Sequence, residues 1–148
     1  MISYEYIAGF FDGEGYIQIA KKSPNSHSGA PYWLCASMAN THRGVLYEIQ
    51  KTTGGQVIFH KGGFQKKPHY RLTFYTLQAL NFIKSIQPYL IIKREEVDLA
   101  IMFAEHLKSR HYGLRLTEKE LEIRHDYYLK MKSLKGNRGA NKENVILA

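Results

Sequence analysis

The sequence predicts a mixed α/β (α+β) domain with a four-stranded antiparallel sheet, in the order α-β-β-α-β-β-α, followed by additional C-terminal helices. Three observations predict it. Segments of alternating polarity pair around turn-forming residues, once over residues 16–38 and again over residues 56–75. A helix with an apolar stripe precedes each pair, and the remainder of the chain carries helical periodicity. With 148 residues and 44% of them hydrophobic, the chain holds one ordinary core. A single domain is expected over residues 1–135, with a loose C-terminal tail over residues 136–148.

In the first helix, Tyr4, Ile7, Ala8 and Phe11 recur at i, i+3, i+4 and i+7 behind Ser3, a suitable N-cap. Gly9 and Gly13 lie one turn apart and weaken a helix by roughly 1 kcal/mol each, so they call for a reason. Glycine lets a second backbone approach closely, and Gly15 is expected to end the helix with a positive φ. Asp12 and Glu14 stand at the helix C-terminus, where the dipole favours cations. Acids placed there suit a divalent metal.

Residues 16–22 alternate, with Ile17 and Ile19 on one face and Gln18, Ala20 and Lys22 on the other. Residues 23–29 read as a hairpin tip, and 33–38 as a second strand with Leu34, Ala36 and Met38 inward and Trp33, Cys35 and Ser37 outward. Asn40 or Thr41 caps a helix through about Lys51, with Val45, Leu46 and Ile49 as its stripe, and Gly54-Gly55 breaks it. The second hairpin, residues 56–61 and 69–75, turns through Gly62-Gly63 and Lys66-Lys67-Pro68; its core face is Val57, Phe59, Tyr70, Leu72 and Phe74. A third helix over residues 77–86 stops at Pro88. Helices near 94–108 and 118–135 follow, joined by the polar stretch 109–116, and the tail from Gly136 is loose until Val145-Ile146-Leu147.

Twenty-one Lys and Arg against thirteen Asp and Glu leave a net charge of +8. That surplus favours a polyanionic partner such as nucleic acid, although charge alone also suits a basic ribosome-associated protein. A single cysteine, Cys35, excludes a disulfide framework and a cysteine metal site. No stretch has the length of a membrane span or the apolar core of a signal peptide. His27, His106, His111 and His125 lack the spacing of a zinc site, which leaves them surface or satisfied polar roles. Tyr127-Tyr128 with Met131 and Leu134 reads as a packing face.

The segment Ile7-Ala8-Gly9-Phe10-Phe11-Asp12-Gly13-Glu14-Gly15 resembles the LAGLIDADG motif of homing endonucleases, with Ile7, Phe10, Phe11, Gly13 and Glu14 replacing Leu, Leu, Ile, Ala and Asp. Two further segments resemble the same family in the same order. Asn40-Thr41-His42 looks like its loop after the second strand, where an Asn or Gln positions water or metal. Gln87-Pro88-Tyr89-Leu90-Ile91-Ile92-Lys93 looks like its Pro-aromatic-Leu-x-x-Lys segment, whose Lys reaches toward the cleavage centre. The resemblance covers roughly residues 3–108, and the C-terminal forty residues match no pattern of the family.

The resemblance implies a homodimeric, divalent-metal-dependent DNA endonuclease of the single-motif type. It would cut both strands of a long pseudo-palindromic site to leave 3′ overhangs. Glu14 would hold the metal, Mg²⁺ with Mn²⁺ or Ca²⁺ able to replace it, with the Gly13 carbonyl beside it. Lys93 would stabilise phosphorane charge or activate the water; Asn40 would serve as cap, as catalytic support, or both. His42 and Arg43 each fit the family's nearby basic position. Ala8, Gly9, Asp12 and Gly13 would form the dimer interface, bringing two Glu14 carboxylates to one axis.

Double-stranded DNA would lie on the outward sheet face, read by Gln18, Lys22, Trp33, Ser37, Gln56, His60, Arg71 and Thr73. Lys21, Lys61, Lys66 and Lys67 would hold phosphates. The competing class is a cleavage-inactive intron RNA maturase or DNA-binding regulator on the same scaffold. The expected setting is intracellular, in an organelle or in bacterial or phage cytoplasm, with no membrane partner.

Overall fold

The computed structural model describes residues 1–26, 30–110 and 115–147, with side chains described as far as Gly136. The hairpin-tip residues 27–29 (His27 among them) and residues 111–114 of the polar connection, with His111, lie outside the described residues. Helix α1 spans Tyr4–Glu14 and is followed by strands β1 (Gly15–Lys21) and β2 (Tyr32–Asn40). Helix α2 (Arg43–Thr53) leads to β3 (Gln56–His60) and β4 (His69–Tyr75). Helix α3 (Thr76–Ile86), a single 3₁₀ turn (Gln87–Tyr89), α4 (Arg94–Ser109) and α5 (Glu118–Leu147) complete the chain. The four strands form one antiparallel sheet in the order β1-β2-β4-β3. The predicted class and order of elements are those observed.

The strand period of two sorts the sheet into an apolar and a polar face. Ile17, Ile19, Leu34, Ala36, Met38, Leu72 and Phe74 point one way and are buried, and residues of all five helices join them in one core. Phe82 of α3 anchors the layer, stacking on Phe74 at 4.1 Å between centroids and meeting Phe11 of α1 edge-on at 5.5 Å. The register runs Tyr16–Ser37–Thr73–Gln56 across the opposite face, with Gln18–Cys35–Tyr75 in the next outward row.

Three local expectations are corrected. Gly15 ends α1 in extended backbone, φ −85° and ψ 159°, not with a positive φ. Glycine is needed there because a Cβ would sit 2.2 Å from the Phe11 ring and 2.5 Å from the Phe11 carbonyl oxygen. Helix α2 is capped by His42, whose Nδ1 accepts from Val45 N at 3.1 Å, while Asn40 accepts from His42 N at 2.8 Å. The chain also stays helical through Gly136 to Leu147, so the backbone there is not the loose tail expected. Gly136 and Gly139 within a propagating helix cost about 1 kcal/mol each and do not by themselves stop it.

Helix α5 is held at two places. Tyr32 Oη and His125 Nδ1 lie 2.8 Å apart, joining it to β2. Nearer its start, Glu120 is 3% exposed and gathers Arg124 Nε at 2.9 Å, His106 Nε2 at 2.8 Å and Arg110 NH1 at 2.9 Å. His106 and His125 are thus satisfied polar groups, and Tyr127, Tyr128 and Met131 pack on the core as expected.

Burial alone would raise the Glu120 carboxyl, but bonds from Arg124 and His106 and the charges of His106 and Arg110 outweigh it and hold the pKa below the usual carboxylate range. A depressed folded-state pKa adds stability that is present above the unfolded-state pKa of about 4.3 and lost as pH falls through the folded value. Glu120→Gln is therefore expected to lose about 2 kcal/mol at neutral pH, less than full removal of a buried ion partner because the amide still accepts a bond. Its acid limb should also be flatter. Urea unfolding between pH 7 and pH 3 measures both, and parallel pH profiles would rule out this role for Glu120.

Candidate active site and nucleic-acid interface

Glu14 is the last residue of α1 and is exposed where the chain turns into β1. Its side chain lines an open pocket of about 420 Å³ with Tyr16, Ser37, Ala39 and Arg71. These four residues lie on the outward sheet face, so the acid at the helix end opens onto the polar side of the sheet. The donor chemistry is hard oxygen: one carboxylate and the carbonyls of the last helical turn, where Gly13 is exposed. Such donors suit Mg²⁺ or Ca²⁺. Among the described residues no group of three or more His, Cys, Asp and Glu could hold a metal, so one chain supplies an incomplete shell.

Asp12 points the other way. Its carboxylate accepts from the backbone N–H groups of Ile91 (2.8 Å), Ile92 (3.2 Å) and Lys93 (3.0 Å). These donors precede α4 (Arg94–Ser109), so the end of α1 anchors the segment that leads into a helix some eighty residues further along the chain. Lys93 completes the junction: it is 7% exposed, its ammonium donates to the Asp12 carbonyl oxygen at 2.5 Å, and it lies 5.9 Å from the Phe11 ring centroid. A cation there complements the negative end of α1, whose last turn has no basic residue of its own. Lys93 is thus a buried, positioned cation two residues from Glu14 in contact, not a solvated helix-start lysine.

His42 and Arg43 do not line the Glu14 pocket. His42 spends its Nδ1 on the α2 cap, and the Arg43 guanidinium lies 4.8 Å from the Tyr47 centroid and 5.8 Å from that of Tyr70. Tyr70 shares its row with Asn40 and Phe59, on the helix-covered side. Asn40 supports the entry to α2, directly after the pocket residue Ala39.

Gln18, Trp33, Ser37, Gln56, His60, Arg71 and Thr73 all fall on one sheet face by register, the face expected. Ser37 and Thr73 are nearly buried there, 6% and 4% exposed, shielded by longer neighbours. Lys61, Lys66 and Lys67 are exposed in the β3–β4 connection, while Lys22 follows β1 and its N–H donates to Pro31 O at 2.8 Å. Lys21 pairs with inward-facing Tyr32 and lies 5.9 Å from the Tyr128 ring of α5. Strand parity places it on the side opposite Gln18.

A family model described as LAGLIDADG endonuclease matches residues 7–105, which include α1, the whole sheet and Lys93. The chain belongs to the LAGLIDADG endonuclease family. No curated protein matches it significantly. Among solved structures, it is similar to the homing endonuclease I-CvuI in complex with the I-CreI target in the presence of Mg, with 19% identity and a TM-score of 0.72, covering 88% of this chain and 80% of that one. The archaeal intron-encoded homing endonuclease I-Vdi141I complexed with DNA gives 19% identity and a TM-score of 0.69 over 88% and 82% of the two chains. The homing endonuclease I-TnaI gives 16% and 0.64 over 93% and 98%. These likenesses establish the fold.

Set in the LAGLIDADG frame, the motif helix sorts its expected interface residues. Ala8 is fully buried inside this chain and cannot face a partner, and the Asp12 carboxylate is engaged within it. Gly9 and Gly13 are exposed, with nothing within 4 Å of where a Cβ would stand. Tyr16 and the α5 residues Lys132 and Lys135 were missed as surface-forming groups. Tyr16 sits directly after the motif, and Tyr128, Lys132 and Lys135 at i, i+4 and i+7 are one helical stripe. That spacing was the available signal.

Proposed function

We propose that the protein is a site-specific homing endonuclease that cuts both strands of double-stranded DNA as a homodimer, on a long pseudo-palindromic site, leaving 3′ overhangs. The observation carrying this reading is that Glu14 opens onto the sheet face bearing Gln18, Gln56, His60 and Arg71. A twisted antiparallel ribbon fits the major groove, where such side chains read donors and acceptors. A bound Mg²⁺ supplies charge neutralisation and an activated water. Glu14 would hold it, Arg71 reaches the bases from the same pocket, and Lys93 keeps a fixed positive charge behind the helix end. A second Glu14 from a two-fold copy completes the oxygen donors and provides a centre for each strand.

Incubating the full chain with a randomised duplex library and Mg²⁺, then sequencing the ends, is expected to give paired breaks offset between strands within a two-fold symmetric consensus. Binding without cleavage would return the protein to the regulator or maturase class.

The dimer reading rests on exposed Tyr6, Gly9 and Gly13 with half-buried Phe10, at i, i+3, i+7 and i+4 along α1. Overpacking a close helix contact costs about 1–3 kcal/mol, and within one chain Gly9 has room for a side chain. Gly9→Leu is therefore expected to yield a folded monomer. Sedimentation that finds a monomeric wild type, or a dimeric Gly9→Leu with unchanged affinity, would overturn this interface.

A further inference from the structure

Strand β1 is an edge of the sheet, and an uncovered edge invites pairing with another chain. Helix α5 covers it. Their contact leaves an open groove of about 390 Å³ lined by Tyr16, Gln18, Lys21, Tyr128, Lys132 and Lys135 among others. The three lysines are set on aromatic rings: Lys135 Nζ is 3.7 Å from the Tyr16 centroid, and Lys132 and Lys21 are 5.0 and 5.9 Å from that of Tyr128. Among the described residues, no acidic side chain lines the groove.

The groove is continuous with the Glu14 pocket, because Tyr16 lines both. The charge of Lys135 also reaches the outward sheet face. The Cys35 thiol there is raised by burial and lowered by its bond with Gln18 and by the charges of Arg71 and Lys135. Arg71 and Lys135 therefore act on one surface from opposite sides. From Tyr16 to Lys21 the strand runs about 17 Å at 3.3–3.4 Å per residue. That length spans about five phosphates of one DNA strand at 3.4 Å each along the axis.

We infer that the groove between β1 and α5 binds a run of DNA backbone phosphates, with Lys21, Lys132 and Lys135 as its cations, so that α5 extends the DNA interface beyond the sheet. The inference rests on the DNA-cleaving reading above. It gives a role to a helix that lies outside the matched residues 7–105. It also explains Lys21, which faces away from the base-reading side yet stands at the groove. The rings set the ammonium groups along the groove, and Gln18 adds a neutral hydrogen-bonding group beside them. Because phosphates carry no sequence information, these contacts fix register and strength of binding without selecting bases.

The test uses full-length Lys132→Gln/Lys135→Gln, Lys21→Gln/Lys132→Gln/Lys135→Gln and the matching Lys→Arg variants, with the duplex selected by wild type. Each lost phosphate contact removes about 0.9 from the slope of log affinity against log salt. The double variant is expected to lose about 1.8 and the triple about 2.7, with base preference unchanged and the Arg variants near wild type. If the lysines only fasten α5 to β1, the Gln variants will melt lower while keeping the wild-type salt slope, which overturns the inference. An unchanged slope with unchanged melting also overturns it. Failure of the underlying reading is distinct: wild type itself would then bind no duplex.

Discussion

Glu14→Gln is expected to bind its DNA target and leave both strands uncut. The substitution keeps size and hydrogen-bonding capacity while removing the one carboxylate in the pocket formed with Tyr16, Ser37, Ala39 and Arg71. Hard divalent ions bind carboxylates far better than amides, so the neutral side chain loses the ion at ordinary concentrations. A thousandfold fall in cleavage corresponds to about 4 kcal/mol of barrier, a modest demand for the loss of a metal centre that contributes several kcal/mol of charge stabilisation. Affinity should hold or rise, because one negative charge leaves a surface that meets phosphates. Single-turnover cleavage in Mg²⁺ alongside binding in its absence separates the effects. Wild-type rates from Glu14→Gln would remove this residue from the mechanism.

The architecture was legible because patterning and local chemistry agreed. Period-two alternation in residues 16–22 and 69–75 fixed which side of each strand faces the helices, and sheet register carried that parity from strand to strand. Glu14 was legible because an acid at a helix C-terminus opposes the dipole and needs a reason. What failed depended on groups distant in sequence. Ala8 and Gly9 are neighbours among small residues, yet 100° of helical rotation puts one in the core and the other in the open. Asp12 was expected at the dimer interface, but three N–H groups from residues 91–93 claim its carboxylate. His42 and Arg43 were read by proximity to Asn40, whereas a backbone N–H and two tyrosine rings occupy them.

Asp12→Ala is expected to cost about 3–4 kcal/mol and to disorganise the cleavage centre even in molecules that remain folded. Hydrogen bonds to a charged acceptor contribute about 1.5–3 kcal/mol each. The three here sum to less than three times that, because Ile91 and Ile92 are 86% and 56% exposed and water can replace part of the loss. What water cannot replace is the docking of residues 91–93 on the end of α1. The N–H of Lys93 and its ammonium both bind Asp12, one through the carboxylate and the other through the main-chain carbonyl. With the carboxylate gone, the segment keeps the second bond but loses the clamp that sets its distance from Glu14. Asp12→Asn separates stability from position: one oxygen still accepts, so the fold should survive with a smaller loss, while a neutral amide cannot serve three donors. Urea midpoints should therefore rank wild type, Asp12→Asn, Asp12→Ala. Single-turnover cleavage should fall in Asp12→Asn by more than DNA affinity does. If Asp12→Asn matches wild type in both midpoint and cleavage rate, the Pro88–Lys93 segment is held by its packing against α1, and the carboxylate clamp is not what positions Lys93.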